Sequence, residues 1–323
     1  MLLNVKGLSI NLATQRGTLS AVQDVSFHVD KGETLCIVGE SGCGKSITAL
    51  SLLRLLPASA RLTAETISFN DLDLLTLPEA DIRPLRGNRL SMIFQDPMSA
   101  LNPLHTVGRQ LTDVLLAHQH VTRAKAAERA CELLLKVGIP NPEERLQQYP
   151  HELSGGLRQR IVIAMALMCE PELIIADEPT TALDVTIQAD LLRLLKELQQ
   201  ALGMGMIFIT HDLGLVSRIA DRIVVMYAGE VVEAGPASAI FEHPAHPYTR
   251  ALLGAVPDPS HPRMEPLESI PGTVPSLLSR DKTCHFRGRC PMAQDICNNR
   301  ISLQTVGADH QARCIRVGAE DSQ

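Results

Sequence analysis

The octet Gly39-Glu40-Ser41-Gly42-Cys43-Gly44-Lys45-Ser46 fits the pattern G-x-x-x-x-G-K-[ST], a loop that wraps phosphate. Gly39, Gly42 and Gly44 free the backbone to turn its N–H groups inward onto phosphate oxygens. Lys45 is spaced to reach the β- and γ-phosphates of a nucleoside triphosphate, and the Ser46 hydroxyl to ligate Mg²⁺. A glycine-rich turn followed by a chance Lys-Ser would carry the same letters. The flanks argue against it. Leu35-Cys36-Ile37-Val38 reads as a buried strand, and Ile47, Leu50, Leu53 and Leu56 recur at helical spacing up to Pro57. Strand, glycine loop and helix is the context the motif requires, and the helix N-terminus adds partial positive charge.

Further residues suit the same chemistry. Asp177 ends the apolar run Leu173-Ile174-Ile175-Ala176, where a carboxylate can hold hydrated Mg²⁺. Glu178, the next residue, is placed to take a proton from attacking water or to polarise it. Adjacent acids at a strand end are otherwise an ordinary solvated loop; the phosphate loop upstream favours the functional reading. His211 follows Ile207-Phe208-Ile209-Thr210 and can donate to a γ-phosphate, although alone it reads as a structural cap. Gln95 follows Ser91 to Phe94 and can bridge Mg²⁺ and water, a weak signal by itself. Ser154-Gly155-Gly156 opens a helix whose face carries Leu157, Ile161, Ala164 and Met168. Its N–H groups and dipole make a second surface for phosphate.

The elements that must position these residues follow from periodicity. Residues 3–10 and 20–29 read as strands of an N-terminal antiparallel layer, with Val25, Phe27 and Val29 alternating with polar residues. Short strands follow over 62–94, then a helical, polar segment over 105–150 that interrupts an α/β pattern. After Ser154 the alternation resumes: strand 173–176, helix 187–202 stopped at Gly203, strand 206–210, helix 213–220, strand 223–227. Such alternation predicts a mostly parallel sheet covered on both faces. Beyond Gly235 prolines punctuate a loop-rich tail with a short helix near 248–255. We divide the chain into residues 1–255, with a helical subdomain inserted at about 96–160, and a C-terminal extension over 256–323.

Length and composition agree. A chain of 323 residues buries a substantial core, and its 45% hydrophobic content is that of a globular protein. No apolar run approaches the ~20 residues that span a bilayer, and the stretch from Met1 to Lys6 shows no signal peptide. The expected compartment is the reducing cytosol. A net charge of −6 argues against nucleic acid as a partner. Cys36, Cys43, Cys131 and Cys169 are scattered and read as small apolar residues. Cys284-x5-Cys290-x6-Cys297-x16-Cys314 is different: four thiols in a loop-rich tail suit a metal centre, either Zn²⁺ or an iron–sulfur cluster. The spacing matches neither common zinc knuckles nor ferredoxins, and free thiols remain open. His285 and His310 read as surface residues.

In the order Gly39–Ser46, Gln95, Leu153–Gln159, Leu173–Glu178, Ala182-Leu183-Asp184 and His211, the motifs resemble the ATP-binding cassette of ABC transporters. These positions correspond to the family's Walker A, Q-loop, signature, Walker B, D-loop and H-loop. The resemblance implies a phosphate-loop NTPase core of ABC type with a helical subdomain, acting as an ATP hydrolase with Mg²⁺. It implies that two cassettes pack head to tail, each ATP lying between one chain's phosphate loop and the other's Ser154-Gly155-Gly156. Two departures stand out. Leu157 occupies a position that is often Gln, and no aromatic precedes Phe27 to stack on adenine. Phe27 fits a core strand, leaving Leu12 or Leu19 for apolar contact.

Phe94-Gln95-Asp96-Pro97-Met98, His246-Pro247-Tyr248-Thr249 and Ile270-Pro271-Gly272-Thr273-Val274-Pro275 are similar to the dipeptide, oligopeptide and nickel importer branch. That similarity implies an ATPase subunit at the cytoplasmic face of the inner membrane. Its expected partners are a second, paralogous ATPase, two membrane permeases and, indirectly, an extracytoplasmic solute-binding protein. It also implies a [4Fe–4S] cluster on Cys284, Cys290, Cys297 and Cys314, with Zn²⁺ as the alternative and a structural role. Nickel, a metal chelate or another small solute are alternative cargoes. Soluble cassette ATPases acting on DNA or ribosomes carry long coiled-coil insertions or paired cassettes, which this chain lacks.

Overall fold

The computed structural model describes residues 1–180, 184–256, 270–278 and 283–317. Alternation makes the N-terminal strands one-sided. β1 (Leu3–Thr14) buries Leu3, Val5, Leu8 and Ile10, and β2 (Gly17–Val29) buries Val25, Phe27 and Val29. The two pair antiparallel from Leu3↔Val29 to Thr14↔Gly17. The next elements are β3 (Thr34–Val38) and α1 (Lys45–Leu52). β4 (Ala60–Thr63) and β5 (Thr66–Phe69) both join β1, and β6 (Leu72–Asp73) joins β5, completing an antiparallel sheet. After the short α2 (Glu79–Ile82) and β7 (Leu90–Ile93) comes the helical segment: α3 (Pro97–Ala100), α4 (Val107–His118), α5 (Arg123–Lys136), α6 (Pro142–Gln147) and α7 (Gly155–Leu167). Thr106, Thr122 and Ser154 cap α4, α5 and α7 by accepting backbone N–H groups.

β8 (Leu173–Asp177), α8 (Val185–Leu202), β9 (Gly205–Thr210), α9 (Leu213–Val216), β10 (Arg222–Tyr227) and β11 (Glu230–Pro236) follow, then α10 (Ala237–Glu242) and α11 (Pro247–Gly254). The second sheet runs β11-β10-β3-β9-β8-β7, parallel from β10 to β7. Its strands are buried on both faces, as a covered parallel sheet requires. Cys36, Val38, Ile174, Ala176, Met206 and Phe208 point to a core shared with the helical segment and α8. Their neighbours Leu35, Ile37, Leu173, Ile175, Ile207 and Ile209 point to a core shared with the antiparallel sheet. The period of two thus splits one set of strands between two hydrophobic layers.

Three expectations change. The helix predicted over 213–220 stops at Val216; Ile219 is buried, so the apolar spacing reflected packing rather than continued helix. The tail adds two strands to the sheet, β12 (Gln304–Gly307) and β13 (His310–Ala312), with β13 on the edge of β11. His285 and His310 are not surface residues. The side chain of His285 is 9% exposed beside Glu230. His310 is buried because Glu233, fully buried on β11, recruits it: Nε2 donates to Glu233 Oε1 at 2.8 Å. The same carboxylate accepts from the N–H groups of Ala245 at 2.7 Å and His246 at 2.9 Å. Burial lowers the His246 imidazole to about 3, so it is neutral, and its Nδ1 accepts from the Tyr248 N–H.

The tail is also joined by rings. Tyr227 of β10, Tyr248 of α11 and Phe286 of the tail meet with centroids 4.6–5.3 Å apart. The chain has only three tyrosines, so this junction takes most of them. Glu233→Ala would strand His310 and two backbone donors, and should lower the unfolding free energy by about 3–5 kcal/mol; urea denaturation measures it.

Candidate nucleotide site

The loop leaves the C-terminal end of β3, between β10 and β9, where open parallel sheets gather ligands. Two glycines are demanded by close approach. At Gly39, φ is +153° and an added Cβ would lie 2.1 Å from the Met226 carbonyl oxygen; at Gly44, φ is +101° and it would lie 2.7 Å from that of Ala21. Lys45 is buried, with Nζ donating to the carbonyls of Gly39 at 2.7 Å and Glu40 at 3.1 Å. Ser46 Oγ donates to Asp177 Oδ1 at 3.0 Å, joining the start of α1 to the end of β8. Burial pushes the Asp177 carboxyl above the usual carboxylate range. The Cys43 thiol packs into the core, raised by burial, so only its backbone belongs to the loop.

Glu178 adopts φ +45°, uncommon for a residue with a Cβ, and its N–H donates to the Ile209 carbonyl at 2.9 Å. Its Oε2 accepts from Gln95 Nε2 at 3.1 Å and lies 3.4 Å from His211 Nδ1. The ends of β7, β8 and β9 therefore bring together the three residues chosen from sequence for water and γ-phosphate. They line one cleft of about 760 Å³ with Glu40, Ser41, Gly42, Gly44, Lys45 and Ser46. Its apolar end is aliphatic: Leu12, Leu19, Leu252 and Leu277. Phe27 lies in the core.

Ser154, Gly155 and Gly156 do not line that cleft. Ser154 Oγ accepts from the Leu157 N–H at 3.4 Å, and Ser154 and Gly155 are exposed at the start of α7. Ala182 and Leu183 lie outside the described residues, while Asp184 precedes α8.

The four tail thiols are not gathered as a metal site requires. Among the described residues no group of three or more His, Cys, Asp or Glu is placed to hold a metal ion. They are neighbours nonetheless. Burial, with smaller contributions from Cys297, Cys290 and Cys314, raises the Cys284 thiol to about 11. The backbone N–H groups of Phe286, Met292 and Arg316, each two residues on, oppose that rise at Cys284, Cys290 and Cys314.

Sequence reasoning missed four residues here: Leu252, Leu277, Tyr248 and Arg289. Tyr248 OH accepts the Glu40 N–H at 2.9 Å, and Arg289 pairs with the Glu40 side chain. Tyr248 lay in a segment already singled out for its likeness to peptide importers. A lone tail arginine carries no such signal.

Residues 22–181 match the family described as ABC transporter, and residues 232–297 the family described as oligopeptide/dipeptide transporter, C-terminal region. A probable peptide ABC transporter ATP-binding protein of Sinorhizobium fredii is 50% identical over 98% of this chain and 95% of its own length. The dipeptide transport ATP-binding protein DppD of Bacillus subtilis is 50% identical over 97% of this chain and 93% of its own. The dimeric, post-hydrolysis ATP-binding cassette MJ0796 bound to ADP and phosphate is 25% identical, with TM-score 0.66 over 73% of this chain and 99% of that one. The chain belongs to the ATP-hydrolysing subunits of ABC transporters, in the group that carries the oligopeptide/dipeptide C-terminal region.

A carboxyl raised by burial costs stability when ionised, a cost present above its folded pKa and lost as pH falls through it. Asp177→Asn should therefore raise the melting midpoint by about 2 °C at neutral pH in EDTA. The advantage should fade on acidification, which a pH series of thermal melts checks.

Proposed function

We propose that this chain binds and hydrolyses ATP to drive uptake of di- or oligopeptides, as one ATPase subunit of an importer. The observation that carries the catalytic part is the Glu178 carboxylate held between Gln95 and His211, one residue beyond the Asp177–Ser46 hydrogen bond. Lys45 transfers its donors from loop carbonyls to the β- and γ-phosphates, and the loop N–H groups hold the rest of the triphosphate. Glu178 accepts the proton of the attacking water, Gln95 orients it, and His211 donates to the γ-phosphate. Mg²⁺ would neutralise charge across the phosphates; Ser46 and Asp177 are the residues to hold it, with Gln95 at their edge. Adenine rests on Leu12, Leu19 and Leu277.

Ser154, Gly155 and Gly156 serve a second, paralogous cassette, whose triphosphate they cover when the pair closes. The exposure of Ser154 and Gly155, and the place of all three away from this chain's own cleft, support that reading. ATP favours the closed pair because its full set of contacts exists only there. The motion passes to two membrane permeases at the cytoplasmic face of the inner membrane, fed by an extracytoplasmic solute-binding protein. Among the described residues no helix is long and apolar enough to cross a membrane. The peptide cargo follows the names of the relatives, with nickel or a metal chelate as the second reading.

The tail thiols take a thiophilic metal, a [4Fe–4S] cluster before Zn²⁺. The all-sulfur donor set of Cys284, Cys290, Cys297 and Cys314 supports this, and ligation requires the thiols to close in. Iron and acid-labile sulfide in anaerobically purified protein, lost in Cys290→Ser, would establish the cluster. Zinc in their place, or no metal at all, would refute it.

Glu178→Gln should bind MgATP normally and hydrolyse it at least about a hundredfold more slowly. Steady-state phosphate release checks this, and wild-type turnover would remove Glu178 from its role.

A further inference from the structure

Glu40 is the second residue of the phosphate loop, and it lines the cleft that the proposed function gives to a triphosphate. A carboxylate there opposes a polyanion. Arg289 answers it from 249 residues along the chain: Nη1 donates to Glu40 Oε2 at 2.6 Å and Nη2 to Oε1 at 2.9 Å. This is a bidentate, charge-assisted pair. The guanidinium is itself held on every side. Nε donates to the Pro271 carbonyl at 2.8 Å, Nη2 to that of Ile270 at 3.1 Å and Nη1 to Tyr227 OH at 3.3 Å. Its centre lies 5.8 Å from the Tyr227 ring centroid. The side chain of Arg289 is 7% exposed and that of Glu40 is 26%, so solvent and salt screen the pair less than a surface pair. The hydrogen bonds to Glu40, first among the causes, hold the guanidinium above its ordinary pKa.

We propose that Arg289 is a positioning residue of the nucleotide site: it fixes the Glu40 carboxylate and cancels its charge, so that the tail completes the phosphate loop. This rests on the reading of the cleft as an ATP site. The loop is fastened at the same residue twice, by side chain to Arg289 and by backbone N–H to Tyr248. Without Arg289 an unpaired carboxylate would face the triphosphate from the loop that must bind it. Lys45 already donates to the Glu40 carbonyl, so a shift of Glu40 also moves the seat of that lysine.

The test is calorimetric titration of the full-length chain with MgATP and MgADP, in the wild type, Arg289→Gln, Glu40→Gln and the double variant. Arg289→Gln should raise the Kd for MgATP roughly tenfold, and that for MgADP less. Adding Glu40→Gln should recover most of the loss. A strut that merely braces the tail predicts otherwise, because the carbonyl contacts of Arg289 stay lost in the double variant. Wild-type affinity in Arg289→Gln, or a loss that Glu40→Gln does not recover, overturns the proposal. Should Arg289→Gln fail to fold, Arg289→Lys decides: with the charge kept and the two-point grip lost, the Kd for MgATP should rise about threefold, and wild-type affinity overturns the proposal. Failure of the wild type to bind MgATP at all would instead sink the proposed function.

Discussion

Strand register is the constraint on which the rest depends. Val38 pairs with Thr210, and Asp177 with Ile209, so β3, β8 and β9 end nearly level. The phosphate loop, the two acids and His211 then leave the sheet along one edge. A slip of one residue would exchange every side chain between the two faces. It would drive Leu35 and Ile37 into the layer built for Cys36 and Val38, and carry Asp177 away from Ser46. Two cores of different shape read the same strands, so the register is checked from both sides.

The helical segment and the tail attach to this frame in different ways. The helical segment shares a continuous apolar layer, with Leu111, Leu133, Leu134, Ile161 and Leu167 packed against strands and α8. Its capped helix starts keep it regular, and α7 presents Ser154 and Gly155 outward. The tail has little apolar matter and is fastened at points: the Tyr227–Tyr248–Phe286 rings, the Glu233–His310 pair and the Arg289–Glu40 pair. Point fastenings between charged groups demand satisfied partners. That demand explains why so many backbone carbonyls and N–H groups converge on Arg289 and Glu233.

Legibility in the sequence followed the range of the forces involved. The phosphate loop, the run ending in Asp177-Glu178, the cap at Ser154 and the stop at Gly203 are local signals. Each appears where its residues place it. The absence of an early aromatic pointed to Leu12 and Leu19, which do line the cleft, while Leu252 and Leu277 reach it only through tertiary contact. β12 and β13 were invisible because Gln304 to Gly307 is exposed throughout and carries no alternation; these strands exist through the open edge of β11. His310 looked like a surface residue until a buried carboxylate 77 residues away required a donor. The spacing of the four cysteines suggested ligands, but spacing alone does not gather thiols, and among the described residues no group of three or more His, Cys, Asp or Glu is placed to hold a metal ion.

β11 lies between β10 and β13, so its far edge pairs with a strand of the tail. Cutting the chain after α11 to obtain a minimal cassette would uncover backbone donors and acceptors along that edge, together with two tyrosine rings that are now sealed. An uncovered edge beside apolar rings invites strand-to-strand aggregation. Shortened forms would thus fail in the test tube through insolubility before any question of turnover arose.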